Sequence, residues 1–305
     1  MKSAFSFAGQ GAQRPGMAQD LFEAYPIVRE TFEQASDALG RDLAALCFKS
    51  EAEELNKTEN TQPAIVVVEL AIYRLLSSLN VKADYLAGFS LGECSALMAA
   101  QVLTPEDGFR LVARRAALMQ NAVPLGEGGM AAIIGQPPEK VEELCRRSGQ
   151  DVWPANYNSP KQVVVSGRKA GIQAVMDLCA EEGITVMPLS VSIPSHCPLM
   201  ESAQREFEAC LQQITFAAPT LPVVTNVDAM ITVHPEELRK KLALQLTQPV
   251  RYAQSLHTLQ AEGVDTYIEL GPGKTLSGLV KHTLGSVAIH RVENIKTLES
   301  LMETL

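Results

Sequence analysis

A serine between two glycines, Gly88-Phe89-Ser90-Leu91-Gly92, follows the short apolar run Tyr85-Leu86-Ala87 and precedes small and apolar residues that read as a helix. Strand, glycine-flanked serine and helix, in that order, form the sequence pattern of a nucleophile elbow. Its sharp turn holds the serine in a strained conformation and lifts the hydroxyl clear of the backbone. The glycines let strand and helix approach where a Cβ would clash, and Ser95, Ala96, Ala99 and Ala100 offer a small-residue face for the crossing. Ser90 is therefore the candidate acyl acceptor, and the N–H groups after it are candidates for holding an oxyanion. A second glycine-bracketed residue, Gln10 in Gly9-Gln10-Gly11, follows the apolar strand Ala4 to Phe7, where backbone can come close to a ligand.

A serine hydroxyl is a weak nucleophile at neutral pH and needs a general base, usually histidine. Of the five histidines, His257 and His282 fall inside helical patterns, His234 precedes a helix start and His290 ends a strand far along the chain. His196 differs: it sits in the proline-bracketed loop Ile193-Pro194-Ser195-His196-Cys197-Pro198, at a boundary where a cleft would form. It is the expected base. Asp228 lies beyond His196, whereas the acid of an α/β-hydrolase triad precedes the histidine. A backbone carbonyl can fix the imidazole tautomer equally well, so a Ser–His dyad is expected.

These residues need elements to carry them. Helical spacing covers Gln19 to Leu39, Glu51 to Asn56 and Gln62 to Leu79, the last with Pro63 near its start. Thr104-Pro105-Glu106-Asp107 starts a helix running to about Ala122, with threonine as N-cap and acids facing the dipole. From Met130 the pattern becomes strand, helix (Pro138 to Arg147), two strands (Val152 to Asn156, Val163 to Ser166), helix (Ala170 to Glu182) and strand (Ile184 to Pro188). This predicts a small ferredoxin-like subdomain over 125–192, inserted in a larger α/β-hydrolase-like catalytic subdomain formed by 1–124 and 193–305. Later helices are expected at Leu199 to Gln213, Pro235 to Leu246, Tyr252 to Glu262, Thr275 to Leu284 and Ile295 to Leu305. Strands are expected at Pro222 to Thr225, Thr266 to Leu270 and Ser286 to His290. Helices alternating with short apolar strands imply α/β layers around a mostly parallel sheet.

Composition excludes several classes. A net charge of −9 with no long basic stripe argues against nucleic acid as partner. The local clusters Arg114-Arg115, Arg146-Arg147, Arg239-Lys240-Lys241, and Lys274 with Lys281 each read first as a solvated helix face, and second as places where an acidic partner or a phosphate could be held. Six scattered cysteines without a C-x-x-C pair argue against a metal centre or a disulfide framework and fit a reducing compartment. The apolar run Ala64 to Leu76 is interrupted by Glu69 and Arg74 and is too short to span a bilayer. No signal-peptide core is seen at the start, so a cytoplasmic location is expected. Gly271-Pro272-Gly273-Lys274-Thr275 lacks the leading glycine of a phosphate loop, Ile268 standing there, and reads as a strand-to-helix turn.

Several stretches, in order, resemble the malonyl-CoA:acyl carrier protein transacylase family of fatty-acid and polyketide synthesis along nearly the whole chain. They are FAGQGAQ at Phe7 to Gln13, TQPA at Thr61 to Ala64, GFSLGE at Gly88 to Glu93, Arg114-Arg115 followed by Met119, and GGMAA at Gly128 to Ala132. ANYNSPKQVVVSG at Ala155 to Gly167, VSIPSHCPLM at Val191 to Met200, QLTQPVRY at Gln245 to Tyr252 and ELGPGKTLSGL at Glu269 to Leu279 complete the set. The resemblance implies that Ser90 takes the malonyl group, that His196 is general base and acid, and that Arg115 grips the free carboxylate. It implies an oxyanion hole from Gln10 and Leu91, places Gln248 near the catalytic histidine, and sets Asn156 and Asn158 beside the cleft. Arg115 and Met119 are one helical turn apart, so guanidinium and thioether can share one pocket.

Transfer would be ping-pong from a coenzyme A thioester to the phosphopantetheine thiol of acyl carrier protein, without a metal or bound cofactor. The resemblance also implies a monomer. Two positions depart from the family: Ala8 stands where proline is usual, and Phe89, beside the nucleophile, where histidine is common. Phe89 bears on acyl choice and rate. The alternatives are a serine esterase or thioesterase using the same Ser–His pair, and a free-standing polyketide acyltransferase with another acyl preference.

Overall fold

The computed structural model describes residues 2–191 and 193–304. Met1, Ser192 and Leu305 lie outside the described residues, and with them the expected outer limits 1 and 305, the limit at 192 and the expected helix end at Leu305. The strands are β1 (Lys2–Phe7), β2 (Tyr85–Gly88), β3 (Gly128–Ile134), β4 (Val152–Ser159), β5 (Gln162–Arg168), β6 (Thr185–Pro188), β7 (Val223–Val224), β8 (Ile231–Thr232), β9 (Val264–Leu270) and β10 (Ala288–Val292).

Six of them form one sheet in the order β10-β9-β1-β2-β7-β8. Every neighbouring pair is parallel except β7 with β8. Parallel neighbours require long crossovers, which the helices supply, and those helices cover both faces. Alternation along the strands feeds two cores. Phe5, Phe7, Ile268 and Leu270 face the larger one, with the helices Pro26–Leu39, Thr58–Ser78 and Pro105–Asn121. Ala4 and Tyr267 face the other, with the helices Tyr252–Ala261 and Thr275–Leu284.

The remaining four strands form an antiparallel sheet in the order β4-β5-β3-β6. Its connectivity is β-α-β-β-α-β, with the helices Pro138–Ser148 and Lys169–Glu181 packed on one face. The opposite face presents Met130, Ala132, Ala155 and Val164. A parallel bridge between Asn156 and Val250 links β4 to the chain that returns toward the large sheet. Tyr157 N–H donates to the Val250 carbonyl, and Val250 N–H to the Ala155 carbonyl.

Several expected elements shift. The single helix Gln19 to Leu39 is two, Gln19–Ala24 and Pro26–Leu39, because Tyr25 is held extended before Pro26. The helix expected from Gln62 begins at Thr58, leaving Pro63 inside it. Proline cannot donate to the carbonyl four residues back, and Arg41 Nη1 donates to that Glu59 carbonyl at 3.4 Å instead. A helix over Leu43–Lys49, capped by the Asp42 carboxylate on the Ala45 N–H, was not expected.

The elbow itself is a close contact between backbones. A Cβ on Gly88 would lie 2.0 Å from the Gly92 carbonyl carbon, and one on Gly92 would lie 2.1 Å from the Phe7 carbonyl oxygen. Both neighbours are backbone and cannot swing aside. Gly92→Ala should therefore lose about 3 kcal/mol or more of stability, seen as a lower midpoint in thermal or urea unfolding. A midpoint within a degree of wild type would mean the crossing is looser than described.

Candidate active site

Ser90 follows β2 and precedes the helix Gly92–Ala99, with φ at +53°. That left-handed conformation is costly for a residue with a side chain and persists only where the surroundings impose it. Here the imposition is visible. Asn226 Oδ1 accepts from the Ser90 N–H at 2.7 Å, and Asn226 Nδ2 donates to the Gly88 carbonyl at 2.7 Å. Gln245 Nε2 donates to the Ser90 carbonyl at 3.0 Å. Asn226 comes from the loop after β7, and Gln245 caps the C-terminus of the helix Pro235–Leu244.

His196 also adopts a left-handed backbone, φ +61°, in its buried loop. Its Nε2 lies 2.7 Å from Ser90 Oγ, and its Nδ1 lies 2.7 Å from the Gln245 carbonyl oxygen. A carbonyl can only accept, so Nδ1 carries the proton and Nε2 is left with the lone pair that accepts from the serine O–H. The Gln245 carbonyl is free because the last carbonyls of a helix have no intrahelical donor. Burial, reinforced by the nearby Arg115 charge, pushes the imidazole down to about 4, against the opposing pull of the Gln245 carbonyl.

Arg115, on the helix Pro105–Asn121, is 1% exposed. Its Nη1 donates to Gln62 Oε1 at 2.9 Å, and its Nη2 donates to Gln245 Oε1 at 2.9 Å and to Ser90 Oγ at 3.3 Å. Its Nε has no partner among the described residues. None of these acceptors is a carboxylate; Glu93 supports the charge from nearby, while burial lowers the guanidinium pKa. Met119, one turn on, receives the Gln62 Nε2 at its Sδ, 3.8 Å away. Arg114, its neighbour in sequence, points elsewhere and pairs with Glu206 at 3.0 Å.

These groups share one cavity of about 280 Å³ between the two sheets. Its lining includes Gln10, Leu91, Ser90, His196, Arg115, Met119, Asn156 and Asn158, with Met130, Ala132 and Val164 from the small sheet. Asn158 Oδ1 is buried without a partner among the described residues. Gln10 Nε2 donates to Thr58 Oγ1 at 3.1 Å, and the backbone N–H of Gln10 is a further donor that can serve a ligand. Neither that N–H nor the Leu91 N–H is bonded among the described residues. Phe89 stacks edge-on against Tyr252 with ring centroids 5.3 Å apart. It also borders a second cavity of about 530 Å³ beside the Gly9-Gln10-Gly11 loop.

Gln248 requires a correction. It is exposed past the end of its helix, and the glutamine beside the imidazole is Gln245, three residues earlier. The turn at Thr247 carries Gln248 outward, whereas Gln245 is the buried cap whose carbonyl faces inward. Asp228 bonds Lys241 at 2.8 Å and Thr225 at 2.7 Å, as expected of a residue outside the dyad. Gln62, Glu93, Asn226 and Gln245 were not singled out from sequence. Three of them lie inside motif stretches whose other residues drew attention, and the free carbonyls at a helix C-terminus were the available signal for Gln245.

An α/β protein with a hydroxyl, a tautomer-locked imidazole and a buried arginine on one cavity belongs to the class of acyltransferases. The acyl transferase domain family matches residues 4–302. The malonyl CoA-acyl carrier protein transacylase of Haemophilus influenzae is 43% identical over 100% of this chain and 99% of its own. That of Bacillus subtilis is 38% identical over 100% and 97%. A structure of an acyl carrier protein S-malonyltransferase from Vibrio cholerae superposes with a TM-score of 0.96 at 41% identity, covering 99% of this chain and 100% of that one. A type II PKS acyl-carrier protein complex with its malonyl-transacylase gives 0.97 at 41% identity, with both chains fully covered. The chain belongs to the acyl transferase family, in the line of the malonyl CoA-acyl carrier protein transacylases.

The low imidazole pKa sets the acid limit of serine reactivity. His196 is neutral, and able to accept the serine proton, at any pH above about 4. The rate of Ser90 modification by a neutral sulfonyl fluoride should fall only as pH drops toward 4. A limb centred at histidine's usual 6.5 would mean that water reaches the imidazole.

Proposed function

We propose that this enzyme transfers the malonyl group from malonyl-CoA to the phosphopantetheine thiol of acyl carrier protein through a malonyl-Ser90 ester. Ser90 Oγ attacks the thioester carbonyl carbon while its proton passes to His196 Nε2. The backbone N–H groups of Gln10 and Leu91 stabilise the oxyanion. The C–S bond breaks, and the departing coenzyme A sulfur takes the proton from His196. In the second half the carrier-protein thiol gives its proton to His196 and attacks the ester carbonyl. The C–O bond then breaks, and Ser90 Oγ recovers the proton.

The observation that carries the malonyl assignment is Arg115, a buried guanidinium held only by neutral acceptors, 3.3 Å from the serine oxygen. An acyl group ending in a carboxylate supplies the missing anion, and the planar fork suits it. Met119 lies against the methylene, and Asn156 and Asn158 border the acyl group from the small sheet. The apolar lining favours transfer over hydrolysis by limiting water around the ester.

The chain is read as a large α/β-hydrolase-like unit, 1–124 and 193–305, with an inserted ferredoxin-like unit, 125–192. The strand order of the antiparallel sheet, whose strands all lie between Gly128 and Pro188, supports this reading. The enzyme acts as a cytoplasmic monomer in fatty-acid biosynthesis, and no helix of the described residues is long and apolar enough to cross a membrane.

Incubation with malonyl-CoA should add one malonyl group to the intact protein, and Ser90→Ala should abolish the adduct in mass spectrometry. Arg115→Ala should cost malonyl transfer on the order of a hundredfold, from loss of a desolvated charge pair worth about 3 kcal/mol, and acetyl transfer much less. Equal losses for the two acyl groups would refute the arginine's role.

A further inference from the structure

Beneath the elbow lies a carboxylate that the mechanism above leaves unused. Glu93 lies in the first turn of the helix Gly92–Ala99 and is 1% exposed. Its Oε2 accepts from Gln245 Nε2 at 2.9 Å and from the Asn226 N–H at 3.0 Å. The same Gln245 carboxamide turns its Oε1 to Arg115 at 2.9 Å. A carboxamide has one accepting and one donating end, whereas a carboxylate oxygen only accepts. An acceptor fixed at Glu93 therefore draws the donating end of Gln245 toward itself and leaves the accepting end for the guanidinium. The Ser90 carbonyl at 3.0 Å and Asn226 Oδ1 at 3.3 Å are two further acceptors on the same Nε2 and favour the same orientation.

We propose that Glu93 is a positioning residue that sets the orientation of the Gln245 carboxamide and through it holds the Arg115 guanidinium where the substrate's carboxylate docks. The proposal rests on the reading of Arg115 given above and adds a residue that touches neither substrate nor reacting atoms. A glutamine at 93 carries an NH₂ that can donate to Gln245 Oε1. That contact favours the flipped carboxamide, whose NH₂ then opposes the guanidinium N–H groups. Charge alone gives the opposite expectation, because removing a negative group near Arg115 strengthens its field and should tighten malonyl binding. The sign of the effect separates the two.

Transfer to acyl carrier protein is measured with malonyl-CoA and with acetyl-CoA for wild type, Glu93→Gln, Gln245→Met and Arg115→Ala. Glu93→Gln should raise the malonyl-CoA KM about tenfold, the scale of one buried hydrogen bond to a charged group, and lower the malonyl-to-acetyl ratio of kcat/KM. Gln245→Met, which keeps the backbone carbonyl that serves His196, should lower that ratio likewise. A folded Glu93→Gln enzyme with an unchanged or lower malonyl-CoA KM, or with equal losses for both acyl groups, overturns the proposal. Should Glu93→Gln not fold, Gln245→Met decides, and an unchanged ratio there overturns it. An unchanged ratio in Arg115→Ala would bring down the reading of the arginine itself. A lowered ratio in that variant alone would leave the reading standing and remove only the role of Glu93.

Discussion

A guanidinium taken out of water without a carboxylate partner is among the costlier groups a protein interior can hold, and much of this site is arranged around one. Arg115 is satisfied by the carboxamide oxygens of Gln62 and Gln245 and by the Ser90 hydroxyl. These neutral acceptors fix its geometry without cancelling its charge. The positive field thus stays uncancelled, in a cavity whose low dielectric strengthens it. A direct Glu93–Arg115 pair would stabilise the free enzyme better and leave less for the substrate; the carboxamide of Gln245 stands between them.

Gln245 also joins the catalytic parts mechanically. Its backbone carbonyl fixes the His196 tautomer, its side-chain oxygen holds Arg115, and its side-chain nitrogen ties the strained Ser90 carbonyl. Asn226 does the complementary work on the Ser90 N–H and the Gly88 carbonyl. The left-handed backbone at Ser90 is sustained because its N–H and its carbonyl are both held, by Asn226 Oδ1 and Gln245 Nε2. Asn226 occupies the Ser90 N–H, and the next N–H, that of Leu91, is unbonded among the described residues.

Much of the fold was legible where local signals were strong. Thr104-Pro105 and the acids after it start a helix in the structure as they do on paper, with Thr104 Oγ1 accepting from the Asp107 N–H. The strand and helix alternation after Gly128 yields the antiparallel sheet in the expected order along the chain. Local signals were weaker elsewhere. The Leu43–Lys49 helix is seven residues long and draws its stability from packing Leu43, Leu46 and Cys47 into the core rather than from propensity. The strand expected at Pro222 to Thr225 is present as β7, whereas its antiparallel partner β8 has too few residues to show a period.

The chain alone determined the elbow, because two glycines around Ser90 are required by backbone contact that any fold with this turn would share. It also singled out the histidine that meets Ser90 in the structure, since a rigid proline-bracketed loop is a local property. Tertiary structure decided the support. Gln62, Gln245 and Asn226 lie 53, 130 and 136 positions from the groups they hold, and no local pattern distinguishes a carboxamide that will be buried from one, such as Gln248, that the end of a helix turns to solvent. Hydrogen-bond direction and desolvation exist only once distant segments are packed, and those two effects give the arginine, the imidazole and the serine their chemistry.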